Sequence, residues 1–87
     1  MNDLMLDGNS VAGLLQEVFG AEMTSTFGTC NGCGAREQLG AVRVYRGAGF
    51  VLRCPHCDNV LARIIHAERR VWINLSGIRS LELGVDD

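Results

Sequence analysis

Residues 30–59 read CNGCGAREQLGAVRVYRGAGFVLRCPHCDN, and the reading of this stretch decides the fold. It carries two Cys-x-x-Cys pairs, Cys30 with Cys33 and Cys54 with Cys57, separated by residues 34–53. Each such turn brings two thiolates to one point, and two turns supply the four sulfurs of a tetrahedral metal shell. The spacing falls at the upper edge of that read as a zinc site. Cys30, Cys33, Cys54 and Cys57 are therefore the candidate metal ligands.

The residues around the pairs agree. A turn that points N–H groups at sulfur needs a residue tolerant of positive φ after its second cysteine, and Gly34 meets that need. In the second turn the place falls to Asp58, followed by Asn59, two residue types that enter the left-handed region more readily than other side chains. Pro55 stiffens this second turn. His56 reads as a solvent-facing or supporting neighbour of the ligands, and His66, in a strand pattern, as no ligand. Zinc and iron both accept four thiolates in a tetrahedron. Zinc is the expected ion and iron the alternative. A thioredoxin-like dithiol would place a cysteine at a helix N-terminus, whereas both pairs lead into strand patterns.

Outward from the cysteines the pattern has a period of two. In AVRVYR (41–46), Val42 and Val44 fall on one face and Arg43 and Tyr45 on the other, GAG (47–49) turns the chain, and FVLR (50–53) returns it. The segment between the cysteine pairs is therefore expected to be a β-hairpin. VLARIIH (60–66) and RVWINL (70–75) form a second strand pair around Glu68 and Arg69, and IRSLEL (78–83) a last strand before a frayed GVDD tail (84–87). Each cysteine turn is thus followed by a hairpin, and the two turns are expected to face each other across one sheet. Met23 to Phe27 reads as a β-prone approach to Cys30.

Upstream the period changes. Val11, Leu14, Leu15, Val18 and Phe19 recur at the spacing of one helical face, with Asp7, Asn9 or Ser10 as cap and Gly20 as stop. A helix of about three turns does not stand alone in water, so its apolar face packs either on the domain's own sheet or on a partner or second copy. The expected fold is a single α+β domain over residues 1–87. It comprises an amphipathic helix at 9–20 and a zinc ribbon at 28–83, with two zinc knuckles and antiparallel hairpins.

Composition bounds the function. With 87 residues the chain is short of core, and domains of this size commonly use a metal, disulfides or a partner as a staple. No basic leader and no membrane-length apolar run are present, which gives a cytoplasmic expectation and no membrane partner. Regularly spaced cysteines in a reducing compartment indicate metal over disulfides. The net charge is −2, yet all eight basic residues are Arg and lie between Arg36 and Arg79, against only Glu37, Asp58 and Glu68 there. The ends are acidic, through Asp3, Asp7, Glu17 and Glu22 and through Glu82, Asp86 and Asp87. This balance lacks the net positive charge that drives nucleic-acid affinity, which leaves nucleic acid as a secondary partner. Trp72 alternates against Val71 and Ile73 and reads either as buried under the helix or as exposed beside Arg43, Arg63 and Arg70. A four-cysteine shell leaves no open metal position, and no other catalytic constellation is present, so a non-enzymatic binding module is expected.

CNGCG and CPHCD resemble the two metal turns of rubredoxins, which would imply iron and electron transfer. The whole chain is similar to a family of short bacterial zinc-ribbon proteins classed as a domain of unknown function. That likeness runs from LDGNSVAGLLQEVFGAEMT (6–24) through CNGCG (30–34) and FVLRCPHCDNVLARI (50–64) to RVWINLSGIRSLEL (70–83). It implies a helix followed by a zinc ribbon with Cys30, Cys33, Cys54 and Cys57 as ligands, no assigned activity, and an accessory role beside an oxidoreductase. Asp58 departs from the commoner glycine at its position. The expected partner is accordingly another protein, an oxidoreductase among the candidates, or a second copy.

Overall fold

The computed structural model describes residues 5–83; the GVDD tail and the acidic residues Asp3, Asp86 and Asp87 lie outside the described residues. Strand β1 (Met5–Asp7) leads through a 3-10 turn (Gly8–Val11) into helix α1 (Ala12–Phe19). Then come β2 (Phe27–Cys30), β3 (Arg36–Gln38), a second 3-10 turn (Leu39–Ala41), β4 (Arg43–Arg46) and β5 (Phe50–Arg53). β6 (Val60–Ala67), β7 (Arg70–Asn74) and β8 (Ile78–Glu82) complete the described chain. The strands form two antiparallel sheets, one five-stranded in the order β1-β4-β5-β6-β7 and one three-stranded in the order β3-β2-β8. No helix of the described residues is long and apolar enough to cross a membrane.

Period-two patterning sets the large sheet. Val44, Leu52 and Ala62 stand opposite one another on β4, β5 and β6 and are all buried, while Arg43 and Arg63 on the reverse face are exposed. The buried face is covered by α1 and the loops around it through Val11, Leu15, Met23 and Leu39. Leu15 is 1% exposed, so the apolar stripe of the helix packs on its own domain.

The helix is shorter than the 9–20 span read from periodicity. Asp7 Oδ1 accepts the Ser10 N–H at 3.1 Å and Ser10 Oγ donates back to Asp7 O at 2.6 Å. This reciprocal cap closes a tight 3-10 turn first, and α-helical bonding begins only at Ala12. Gly20 ends the helix as expected, at φ 74° with its N–H donating to Gln16 O.

Two other expectations change, and one open alternative is decided. The segment between the cysteine pairs holds β3 and a 3-10 turn before the β4–β5 hairpin, because the chain must first leave the small sheet to reach the large one. Met23 to Thr26 is a turn closed by Thr26 N–H to Met23 O at 3.0 Å, with Met23 buried, and the strand starts at Phe27. Trp72 is 53% exposed: the helix covers the opposite face of the sheet, so the buried alternative for Trp72 does not hold.

Candidate metal centre

Each cysteine turn is the tip of a hairpin. The first joins β2 to β3 and the second joins β5 to β6, so the turns belong to different sheets and do not face each other across one. They are built alike. Cys30 N–H donates to Ala35 O and Cys54 N–H to Asn59 O, each at 2.9 Å. Gly34 N–H donates to Cys30 O and Asp58 N–H to Cys54 O, again at 2.9 Å. Gly32 N–H points at Cys30 Sγ at 3.3 Å and His56 N–H at Cys54 Sγ at 3.4 Å. Gly34 and Asp58 both take positive φ, at 78° and 64°. Cys30 and Cys54 are buried, whereas Cys33 and Cys57 are exposed.

The tertiary structure brings the turns together. Cys30 Sγ lies 3.7 Å from Cys57 Sγ, Cys33 Sγ lies 3.7 Å from Cys54 Sγ, and all four sulfurs fall within 4.8 Å of one another. These separations are far longer than a disulfide bond, about 2.0 Å. A tetrahedral thiolate shell with metal–sulfur bonds of about 2.3 Å has edges of about 3.8 Å. The two 3.7 Å separations match that edge and no other exceeds 4.8 Å, so the cluster could hold a metal ion.

Electrostatics at Cys30 and Cys57 reflect this crowding. Burial opposes ionisation of Cys30, but the N–H groups of Cys33 and Gly32 and the neighbouring thiols of Cys57 and Cys33 outweigh it, bringing its pKa down to about 6. At Cys57 the Asn59 N–H favours the thiolate, yet burial and the crowding of Cys33, Cys30 and Cys54 push the pKa up to about 12. Four negative sulfurs so close together need a cation among them, and metal binding ionises all of them together.

Several supporting contacts were not legible in the sequence. His56 Nε2 and Glu37 Oε2 are 3.0 Å apart, linking the second turn to β3 beside the first, and this contact holds the Glu37 carboxyl below its ordinary range. Asn59 Nδ2 reaches Cys30 Sγ at 3.9 Å. Gly77 accepts the Asn31 N–H at 2.8 Å and donates to Leu61 O at 3.1 Å, tying the first turn to the strand that follows the second. A Cβ at Gly77 would stand 1.8 Å from Val60 O, so only glycine fits that crossing. His56 reads from the sequence as a solvent-facing or supporting neighbour of the cysteines, and the structure adds its partner Glu37. Glu37, Asn59 and Gly77 carry no spacing signal, because their partners are distant in sequence. His66 lies on the exposed end of β6, outside the cluster.

Fold and site together define a small α+β domain with one short N-terminal helix, antiparallel sheets and a four-cysteine cluster that could hold a metal ion. The chain belongs to the family of unknown function DUF6510, which matches residues 2–86. Comparison with curated proteins and with solved structures finds no match.

Proposed function

We propose that the protein is a zinc ribbon whose metal holds the fold together and whose surface binds another protein. The observation that carries this reading is the convergence of two matched cysteine turns, from two separate sheets, on four sulfurs within 4.8 Å. Four thiolates fill a tetrahedral shell and leave no position for water or substrate, so the metal's contribution is to folding and not to catalysis. A redox-inert ion suits that role. No aromatic residue is among the fully buried residues of the described core, unlike the aromatic-packed interior of rubredoxins. A reducing compartment such as the cytoplasm, where thiols stay free for a metal, goes with this reading.

An iron-bearing electron carrier is the second reading, and one observation favours it: Cys33 and Cys57 are exposed, which would bring the metal's ligands to the surface. Visible absorption and elemental analysis of protein purified without added metal separate the two. A colourless sample with one zinc per chain supports the ribbon. A red sample with iron and thiolate charge-transfer bands overturns it in favour of electron transfer.

A further inference from the structure

Among the described residues, Arg43, Arg63, Ile65 and Trp72 on the reverse face of the large sheet are exposed, and the outermost strand is exposed on both sides. β7 pairs with β6 alone, and no strand lies beyond it among the described residues. All five of its residues are exposed, including Val71 at 38%, Trp72 at 53% and Ile73 at 39%. Ile65, directly opposite Trp72 on β6, is 44% exposed. An edge strand with apolar residues on both faces, no proline and no lysine is a template for another strand, since proteins that do not use such an edge blunt it.

Charge indicates what that strand carries. Arg63, Arg69 and Arg70 surround β7, and none of them pairs with a carboxylate among the described residues. Farther along the same face, Arg43 and Arg53 stand opposite each other, and the nearby carboxylate, Asp58, already lies 3.8 Å from Arg53. Pairing β7 with the β7 of a second copy in antiparallel register about Trp72 would set Arg70 opposite Asn74. That leaves Arg70 about two strand spacings, roughly 10 Å, from the other copy's Arg63 on the same face, with no anion between them. Self-pairing therefore adds like charge. A nucleic acid would use Trp72 and the Arg residues but leave Val71 and Ile73 without a function, and the chain's net charge of −2 opposes it. An acidic and apolar peptide uses all of them.

We infer that β7 receives an extended acidic segment of a partner protein as an added antiparallel strand. Its carboxylates meet Arg63 and Arg70, and its apolar side chains cover Trp72 on one face and Val71 and Ile73 on the other. This rests on the binding-module reading and specifies its surface and its partner's chemistry. Main-chain bonds to the edge give affinity, and the alternating side chains give selectivity.

Trp72 is the one tryptophan in the chain and reports directly on the site. The probe is an acetylated, amidated peptide with the core Glu-Val-Leu-Val-Glu, titrated into metal-assayed protein. The expected result is a saturable change in Trp72 fluorescence and slowed amide exchange at Val71 and Ile73. Binding should weaken at least tenfold for the peptide with Lys in place of both Glu, and likewise for an Arg63→Glu/Arg70→Glu variant. These residues are on exposed strand positions, and circular dichroism of the variant checks that it folds. Equal binding of the Lys peptide, no exchange protection, saturation by an oligothymidylate but not by the peptide, or a concentration-dependent dimer sealed through β7 each overturns the inference. Protein that carries its zinc but ignores the peptide removes only this docking surface. Protein that carries iron or no metal removes the zinc-ribbon reading itself.

Discussion

Gly34 and Asp58 occupy the same place in the two cysteine turns, each following the second cysteine with a left-handed backbone, at φ 78° and 64°. Their N–H groups donate to Cys30 O and Cys54 O at the same 2.9 Å. One position is met by a residue without a side chain and the other by a residue that tolerates the conformation. Gly34→Ala is expected to cost about 1 kcal/mol or more, because a Cβ is strained there. Asp58→Gly should be nearly neutral, since the relief of about 1 kcal/mol is offset by the greater freedom of glycine in the unfolded chain. Urea midpoints of the metal-loaded variants test this. An Asp58→Gly loss as large as that of Gly34→Ala would mean that the Asp58 side chain, 3.8 Å from Arg53, matters more than its backbone.

Removal of the metal should unfold the domain. Structural zinc contributes on the order of 10–16 kcal/mol in small peptides at neutral pH, comparable with or larger than the roughly 5–15 kcal/mol net stability of typical domains. Excess chelator is expected to abolish the far-ultraviolet strand signal, and zinc to restore it. Cys54→Ser and Cys57→Ser should both lose the metal, although one cysteine is buried and the other exposed. A chelated chain that keeps its fold would show that the hydrophobic core suffices.

Leu15 joins the helix to the core, at 1% exposed among Val11, Met23 and Leu39. Leu15→Ala removes buried methyl groups and leaves a cavity, with an expected loss of about 2–5 kcal/mol. The thermal midpoint should fall at unchanged metal content. A variant as stable as the parent that loses self-association instead would place the helix on a partner.

Arg36 Nε and an Arg36 terminal nitrogen donate to the two carboxylate oxygens of Glu82 at 2.6 and 2.8 Å, bridging β3 and β8 across β2. The same guanidinium lies 3.8 Å above the Phe27 ring. These hydrogen bonds hold the Glu82 carboxyl below its ordinary range. A depressed carboxylate contributes stability that is full above its unfolded pKa, about 4.3, and is lost as pH falls through the lower folded value. The pair is half exposed, so the effect is small. Glu82→Gln should lower stability slightly near neutral pH, and the difference from the parent should close below about pH 4. Comparing the two proteins at each pH cancels the acid loss of metal that they share. A difference that stays constant with pH would mean that the pair contributes through packing alone.

The cysteine turns were legible because each is closed within a few residues: the spacing of the thiols, Gly34 and Asp58 define local geometry wherever the chain places it. The hairpins on either side of Cys54 and Cys57 were legible for the same reason, since period-two alternation and a short turn pair neighbouring strands. Even the helix stop at Gly20 is a local matter of a left-handed residue.

Pairings between distant segments were not. β8 returns to β2 and β1 joins β4, associations that no periodicity specifies because they depend on which strand edges remain free after the hairpins form. The same applies to Trp72, whose alternation assigns it a face but does not say which face the helix will cover. By itself, then, the sequence determined the four candidate cysteines, the two turns and the strand periodicity. The tertiary structure alone decided that the turns come from separate sheets, that their sulfurs meet, and that β7 is the sheet edge among the described residues. Local backbone and side-chain chemistry act over a few residues, whereas the burial that joins two sheets depends on the whole chain at once.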